Sequence, residues 1–344
     1  MVRAGRRAPL ILAGVGFSLI FVAAGPAGPA LAGEDGPTNG TTSAEKKGNT
    51  VAAVAKISYT SSGNNKGGGR VASVDTNWTP PACWYAPEWK ATEFQEYRQR
   101  LYFGARHDPD APRDVLGDMS DQNQAYAKDG YNIDKEKDGM WWGAQQNPNA
   151  SMADQFKCDR EPFWVENGET PDVPQAIDPE TLAGLAYEQI EVPGTKVSLA
   201  PDGPSKVNLP TWAWLDKGDF QPVSVTASLN APGLHIEATT TAKPTALSIK
   251  PGTEDAVRIP ASGKCELNED GSIGEPYAKG KSKQTPPCGV TYRRSSGDGT
   301  FNLQATATWE ITWTGTGGAG GDLPDGEYGN DQPVSVEEIQ SINR

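Results

Sequence analysis

The chain has 344 residues, a formal net charge of −13, four cysteines and two histidines. An acidic surface with no Lys/Arg cluster beyond the first seven residues repels phosphate backbones, which argues against nucleic acid as a partner. No C-x-x-C pair occurs, and His107 and His235 stand far apart, so the usual zinc-site spacings are missing.

Residues 1–32 read as a secretory signal peptide. Arg3, Arg6 and Arg7 form the basic start, an apolar run spans Pro9 to Ala24, and Ala30-Leu31-Ala32 gives a small-x-small cleavage pattern before Gly33. The run is nearly long enough to stay as a membrane anchor, but Gly25, Pro26, Gly28 and Pro29 break a helix there. Export with cleavage after Ala32 is expected, and membrane association only if the segment is retained. In an oxidising compartment Cys83, Cys158, Cys265 and Cys288 read as two disulfides with three connectivities. Their order along the chain favours Cys83–Cys158 and Cys265–Cys288.

Residues 33–69 are dominated by Gly, Ser, Thr and Asn and predict a flexible linker with room for one strand around Val51 to Tyr59. Residues 70–165 predict a small, aromatic-rich and loop-rich α+β domain tied by one disulfide. Pro80, Pro81 and Pro87 forbid a continuous helix early on, and Glu88 to Ala105 then predicts one, with Phe94, Tyr97 and Leu101 as its apolar stripe. Asp108 to Asn149 is polar and punctuated by Asp129-Gly130 and Asp138-Gly139 turns. Trp84, Tyr85, Trp89, Trp141 and Trp142 are the candidate ligand aromatics. Exposed, they would stack on a glycan or a peptide; buried, they would be the core of this small domain, which is the favoured reading because aromatics dominate small-core energetics.

Residues 166–195 form a connector with a short helix. Asp178 is its N-cap and Pro179 its first residue, followed by Leu182, Leu185, Ala186 and Ile190, with Pro193-Gly194 as the stop. From residue 196 the period changes to two. Phe301, Leu303, Ala305, Ala307, Trp309, Ile311 and Trp313 fall on one side of a strand, while Asn302, Gln304, Thr306, Thr308, Glu310, Thr312 and Thr314 fall on the other. Val223 to Leu229 and Leu234 to Ala238 repeat the pattern around an Asn230-Ala231-Pro232-Gly233 hairpin, and Trp212 and Trp214 share a face of another strand. Short strands follow at Leu247–Ile249, Val257–Ile259 and Val290–Tyr292. The fold class is therefore mainly β, with residues 196–316 an immunoglobulin-like antiparallel β-sandwich. Residues 317–344 predict a flexible tail.

Several runs carry a resemblance: LAGLAYEQIEVPGTKVSLAPDG, VNLPTWAWLD, VTASLNAPGLHIEATTTAKPTALSI and CGVTYRRSSGDGTFNLQATATWEITWTG. Over about residues 180 to 316 the chain resembles secreted Gram-positive bacterial proteins whose C-terminal part is a PKD-type immunoglobulin-like domain. The Trp-Asp-x-Gly-Asp-Gly turn of PKD domains is replaced here by Ile249-Lys250-Pro251-Gly252-Thr253-Glu254, whereas Val290 to Tyr292 and the long strand from Phe301 are kept. The resemblance implies a fold rather than an activity.

Chemistry is sparse. Gly315-Thr316-Gly317-Gly318-Ala319-Gly320 matches G-x-G-x-x-G, but no helix follows it, so a glycine linker is the better reading than a dinucleotide site. Asp134, Glu136, Asp138 and Gly139, and again Glu266, Asn268, Asp270 and Gly271, begin like calcium loops, but Gln145 and Tyr277 stand where a bidentate carboxylate belongs. No G-x-S-x-G or H-E-x-x-H occurs. No cofactor and no metal are expected. The sequence reads as a secreted, non-enzymatic binding or assembly module of the cell envelope, with a protein or glycan ligand. The alternative is a cell-wall-active hydrolase with catalytic carboxylates in residues 70–165, Glu88 and Glu93 being one candidate pair.

Overall fold

The computed structural model describes residues 56–215, 220–281 and 284–339, so the signal segment and most of the linker lie outside the described residues. In chain order come β1 (Ser58–Ser62), β2 (Cys83–Trp89), α1 (Ala91–His107), α2 (Arg113–Lys128), β3 (Gly139–Gln146), β4 (Phe163–Glu166) and α3 (Pro179–Tyr187). Then follow β5 (Ser198–Ala200), β6 (Pro210–Leu215), β7 (Val223–Ala231), β8 (Leu234–Lys250), β9 (Ala256–Ile259) and β10 (Lys264–Glu266). The chain closes with β11 (Ile273–Gly274), β12 (Gly289–Tyr292), β13 (Phe301–Gly315) and β14 (Gly320–Val334). Strand makes up 41% and helix 20%, a mixed α/β chain of several antiparallel sheets.

The long alternating strand organises the largest sheet. β13 buries Leu303, Ala305, Ala307, Trp309, Ile311 and Trp313 and exposes Glu310, Thr312 and Thr314, as a period of two requires. It lies between β8 and β14 in a seven-stranded sheet of order β1-β7-β8-β13-β14, with Ala72–Ser73 beyond β14 and β10 paired to β8. The β7–β8 hairpin turns through Pro232-Gly233, with Ala231 opposite Leu234. A five-stranded sheet, β9-β12-β6-β11 with β5 on β6, meets the large one through stacked rings. Tyr292 of β12 lies 5.4 Å from Phe301 of β13, and Phe220, outside both sheets in the segment before β7, lies 5.5 Å from Trp309 of β13. Trp212 is buried and Trp214 half-buried on β6. A third sheet, β2-β3-β4, carries α1 and α2.

Both disulfides form with the expected pairing, and they suit an oxidising, extracellular environment. Cys83–Cys158 ties β2 to the segment before β4, with a Cα–Cα distance of 5.9 Å. Cys265 lies on β10 of the large sheet and Cys288 directly precedes β12 of the five-stranded one, so the second bridge links two sheets. No helix among the described residues is long and apolar enough to cross a membrane.

Three expectations need correction. The tail from residue 317 is not free: Gly320–Val334 is β14, bonded along β13 almost from end to end. The GTGGAG run is the hairpin loop between them, where Gly317 and Gly318 take φ of 75° and 78°, a region glycine enters freely. The helix expected from Glu88 starts at Ala91, because β2 runs on to Trp89 through a bulge between Pro87 and Trp89. The polar stretch after it contains a full helix, α2. Within segment 70–165, Trp84, Tyr85, Trp142 and Val165 belong to the same continuous core as Trp309 and Val336, whereas Trp89, Phe94 and Trp141 lie outside that cluster.

The connector helix α3 is the hub of that core. Asp178 Oδ1 accepts the Thr181 amide at 2.7 Å, the expected cap. Rather than one apolar stripe, the helix buries every residue from Leu182 to Tyr187, since β7, β8 and β13 cover one side and Pro81 and Trp78 approach the other.

Candidate partner-binding face

The five candidate ligand aromatics are all buried: Trp84, Tyr85, Trp89, Trp141 and Trp142 are at most 9% exposed. None presents a face for stacking on a ligand; all five lie in the core, the favoured of the two readings. Trp89 and Trp141 instead build the seat of the helices. Phe94 of α1 stacks on Trp141 at 4.2 Å, Tyr126 of α2 meets Trp141 edge-on at 5.2 Å, and Trp89 stacks on Tyr97 at 4.7 Å. The Trp141 indole donates to the Tyr131 carbonyl at 3.0 Å. Aromatic area of this kind fixes both helices to β2 and β3.

A polar network closes the rim of the cluster. Arg98 is buried, and its Nε donates to Asn123 Oδ1 and an Nη to Gln122 Oε1, both at 2.8 Å. Gln122 Nε2 donates in turn to Glu161 Oε1 at 2.8 Å, and the Arg98 guanidinium lies 5.2 Å from the centre of the Tyr126 ring. Two hydrogen bonds and the Glu161 carboxylate, 3.9 Å away, compensate the buried cation. Burial, and then the charge of Glu161, push the Tyr126 hydroxyl up to about 12 against the opposing effect of Arg98.

Glu88 sits at the bulge of β2 with its carboxylate over Gly143 of β3, a position that a side chain at 143 would occupy. Burial raises its carboxyl from 4.5 to about 7, and a hydrogen bond from Gln145 opposes the shift only in part. Glu93 does different work. Its Oε2 accepts the Lys90 amide at 3.0 Å and so caps the start of α1.

Beyond Arg98 the two helices leave the core. On α1, Phe103 is 64% exposed and Leu101 41%, with Arg100, Arg106 and His107 exposed around them. His107 Nδ1 lies 2.8 Å from the Phe103 carbonyl oxygen, and the two rings are 4.0 Å apart. On α2 only Met119 is buried, while Asp114, Asp118 and Asp121 are exposed at i, i+4 and i+7, along one outward stripe. Residues 108–112 join the helices. None of these arginines and aspartates makes an ion pair with another described residue. The aromatic candidates drawn from the sequence missed Phe103, although a signal was there: it falls off the 94–97–101 stripe and onto the polar side.

Of the calcium-loop candidates, Asp270 and Asn268 serve a turn, and Glu136 bonds across to α1. Asp270 Oδ1 accepts the Ser272 amide and hydroxyl at 3.0 and 2.6 Å, Asn268 bonds Ser272 and Gly274, and Glu136 accepts the Thr92 hydroxyl. Among the described residues no group of three His, Cys, Asp or Glu is arranged to hold a metal ion. His235 is exposed, with Nδ1 2.6 Å from Asn230 Oδ1 across the β7–β8 hairpin. A cleft beside that hairpin, lined by Met140, Trp142, Glu166 and Leu234, holds about 10 Å³, room for one water.

No family model, curated protein or solved structure matches the chain.

Proposed function

We propose that this is an exported, non-enzymatic binding or assembly module of the cell envelope. In this reading the α1–α2 hairpin is the face that meets a protein or glycan partner, and the C-terminal strands are a PKD-like immunoglobulin sandwich that carries it. One observation carries the proposal: Phe103 stands 64% exposed on a helix end that has left the core, among charges with no partner among the described residues. In this reading the Phe103 ring is the aromatic anchor of the contact. The Tyr292–Phe301 ring stack and the Cys265–Cys288 bridge between the large sheet and the five-stranded sheet support the sandwich reading. Two disulfides support an extracellular working environment. The test is a pull-down from a cell-envelope extract with the mature chain and with Phe103→Ser. The variant should lose a species that the native chain captures; identical capture by both would remove the hairpin from the proposal.

Glu88 favours a second reading, the cell-wall hydrolase. A carboxyl that keeps its proton to about pH 7 has the protonation state of a general acid. Release of soluble fragments from purified cell wall, abolished by Glu88→Gln, would support it. No release by the native chain would end it.

A further inference from the structure

We infer that the hairpin face binds a second copy of this chain, α1 of each copy lying along α2 of the other about a two-fold axis. The inference rests on the proposal that this hairpin is a binding face, and it names the occupant. Its basis is self-complementary charge at matching heights. Hydrogen bonds from Arg98 to Gln122 and Asn123 place residue 98 level with residue 122 in the antiparallel hairpin. A step up α1 is a step down α2, so residue 103 is level with 117, residue 106 with 114, and residue 100 lies beside the height of 121. A two-fold axis parallel to the helices keeps these heights while exchanging α1 for α2.

Three of the pairs that result are complementary, although Arg113 comes level with His107 at the hairpin end. Arg100 meets Asp121, Arg106 meets Asp114, and Phe103 meets Gly117. All six residues are exposed. Gly117 has open space where a side chain would stand, so it offers the Phe103 ring a flat floor of helix backbone. The cations at 100 and 106 are about 9 Å apart along their helix and the anions at 114 and 121 about 10 Å, at a rise of about 1.5 Å per residue. Each pair occurs twice in a two-fold assembly, so a weak contact counts double. Arg100 and Arg106 on one helix and Asp114 and Asp121 on the other, without ion pairs among the described residues, are what an isologous interface leaves in each separate copy.

Sedimentation of the mature, oxidised chain over a concentration series tests this. The native chain should dimerise. Arg100→Asp alone and Asp121→Arg alone should each weaken the dimer by roughly tenfold or more, because each opposes like charges at both copies of the contact. The two substitutions in one chain should restore it, and so should an equimolar mixture of the two single variants. Both sites are exposed, and circular dichroism checks that each variant is folded. A native chain that stays monomeric, or a double variant no better than the singles, overturns the inference. The envelope pull-down separates the two layers of argument: a monomeric native chain that still loses its captured species on Phe103→Ser defeats the second copy and keeps the binding face, while a monomer with unchanged capture defeats both.

Discussion

The hydroxyl of Thr240 donates to the carbonyl oxygen of Ala183 at 2.9 Å, joining the middle of β8 to the middle of α3. Thr240 is fully buried, so a threonine on the otherwise apolar inward face of β8, between Ala238 and Ala242, is explained by the helix lying over it. Thr240→Val keeps the shape and removes only the bond. It should lower stability by about 1 kcal/mol in a denaturant melt, the usual net value of one such bond.

The opposite side of the same helix turn is equally constrained. A Cβ on Gly184 would come within 2.6 Å of Pro81 Cδ. Gly184→Ala should therefore destabilise by about 1–3 kcal/mol despite the better helix propensity of alanine, as overpacking does. A stabilised variant in the same melt would show that Pro81 moves aside freely and that α3 is not clamped from both sides.

β13 gives the clearest separation of core from surface. Trp309 is fully buried and stacked on Phe220, and its indole N–H has no hydrogen-bond partner among the described residues. Its contribution is therefore packing alone. Trp309→Ala should cost about 3–5 kcal/mol, while Thr308→Ala on the other face should stay within about 0.5 kcal/mol of neutral. A Trp309→Ala chain that melts normally and loses its partner instead would make this strand a binding surface.

What could be read in advance follows from where the stabilising contacts lie. β13 and the start of α3 carry their own information, in strict alternation from Phe301 to Trp313 and in the Asp178-Pro179 start. β14 does not. Its sequence, GGDLPDGEYGNDQPV, has poor strand propensity, and it is a strand because β13 offers it a full ladder. α2 was hidden for a related reason: Met119 is its one buried residue, so it has almost no apolar period to detect. The aromatic residues near Trp84 and Trp141 were visible as a set, but whether they faced ligand or core depended on α1 folding back over them. The binding face was least legible, because Phe103 and Asp114, Asp118 and Asp121 acquire meaning only once Arg98 fixes the height of one helix against the other.

The two disulfides should differ in weight. Cys83–Cys158 closes a loop of 75 residues in sequence separation and Cys265–Cys288 one of 23. Chain-entropy scaling gives about 4 and about 3 kcal/mol respectively. Replacing the first pair by serine should lower the denaturation midpoint more than replacing the second. The reverse order would mean that joining β10 to β12 across two sheets outweighs loop length.

Glu88 makes stability depend on pH in an unusual direction. Its carboxyl keeps its proton to about pH 7 in the folded chain against an ordinary value of 4.5, with burial as the main cause. Between those values the folded state binds more protons than the unfolded state, so stability falls as pH rises. Below about 4.5 both states are protonated and above about 7 both are ionised, so this contribution is flat at either end. The full span is at most about 3 kcal/mol, since each pKa unit corresponds to about 1.4 kcal/mol and water at the rim of the site screens part of it. Glu88→Gln keeps the shape and the contact with Gln145 but cannot ionise. The variant should match the native chain near pH 4, exceed it progressively up to about pH 7 and keep a constant lead above that. Removing the charge should also lower the Tyr97 hydroxyl, which burial and then Glu88 hold above its ordinary value, and phenolate absorbance would follow that. Parallel melting curves for the two chains from pH 4 to 8 would show that Glu88 is solvated, and would take away the protonated acid on which the hydrolase reading depends.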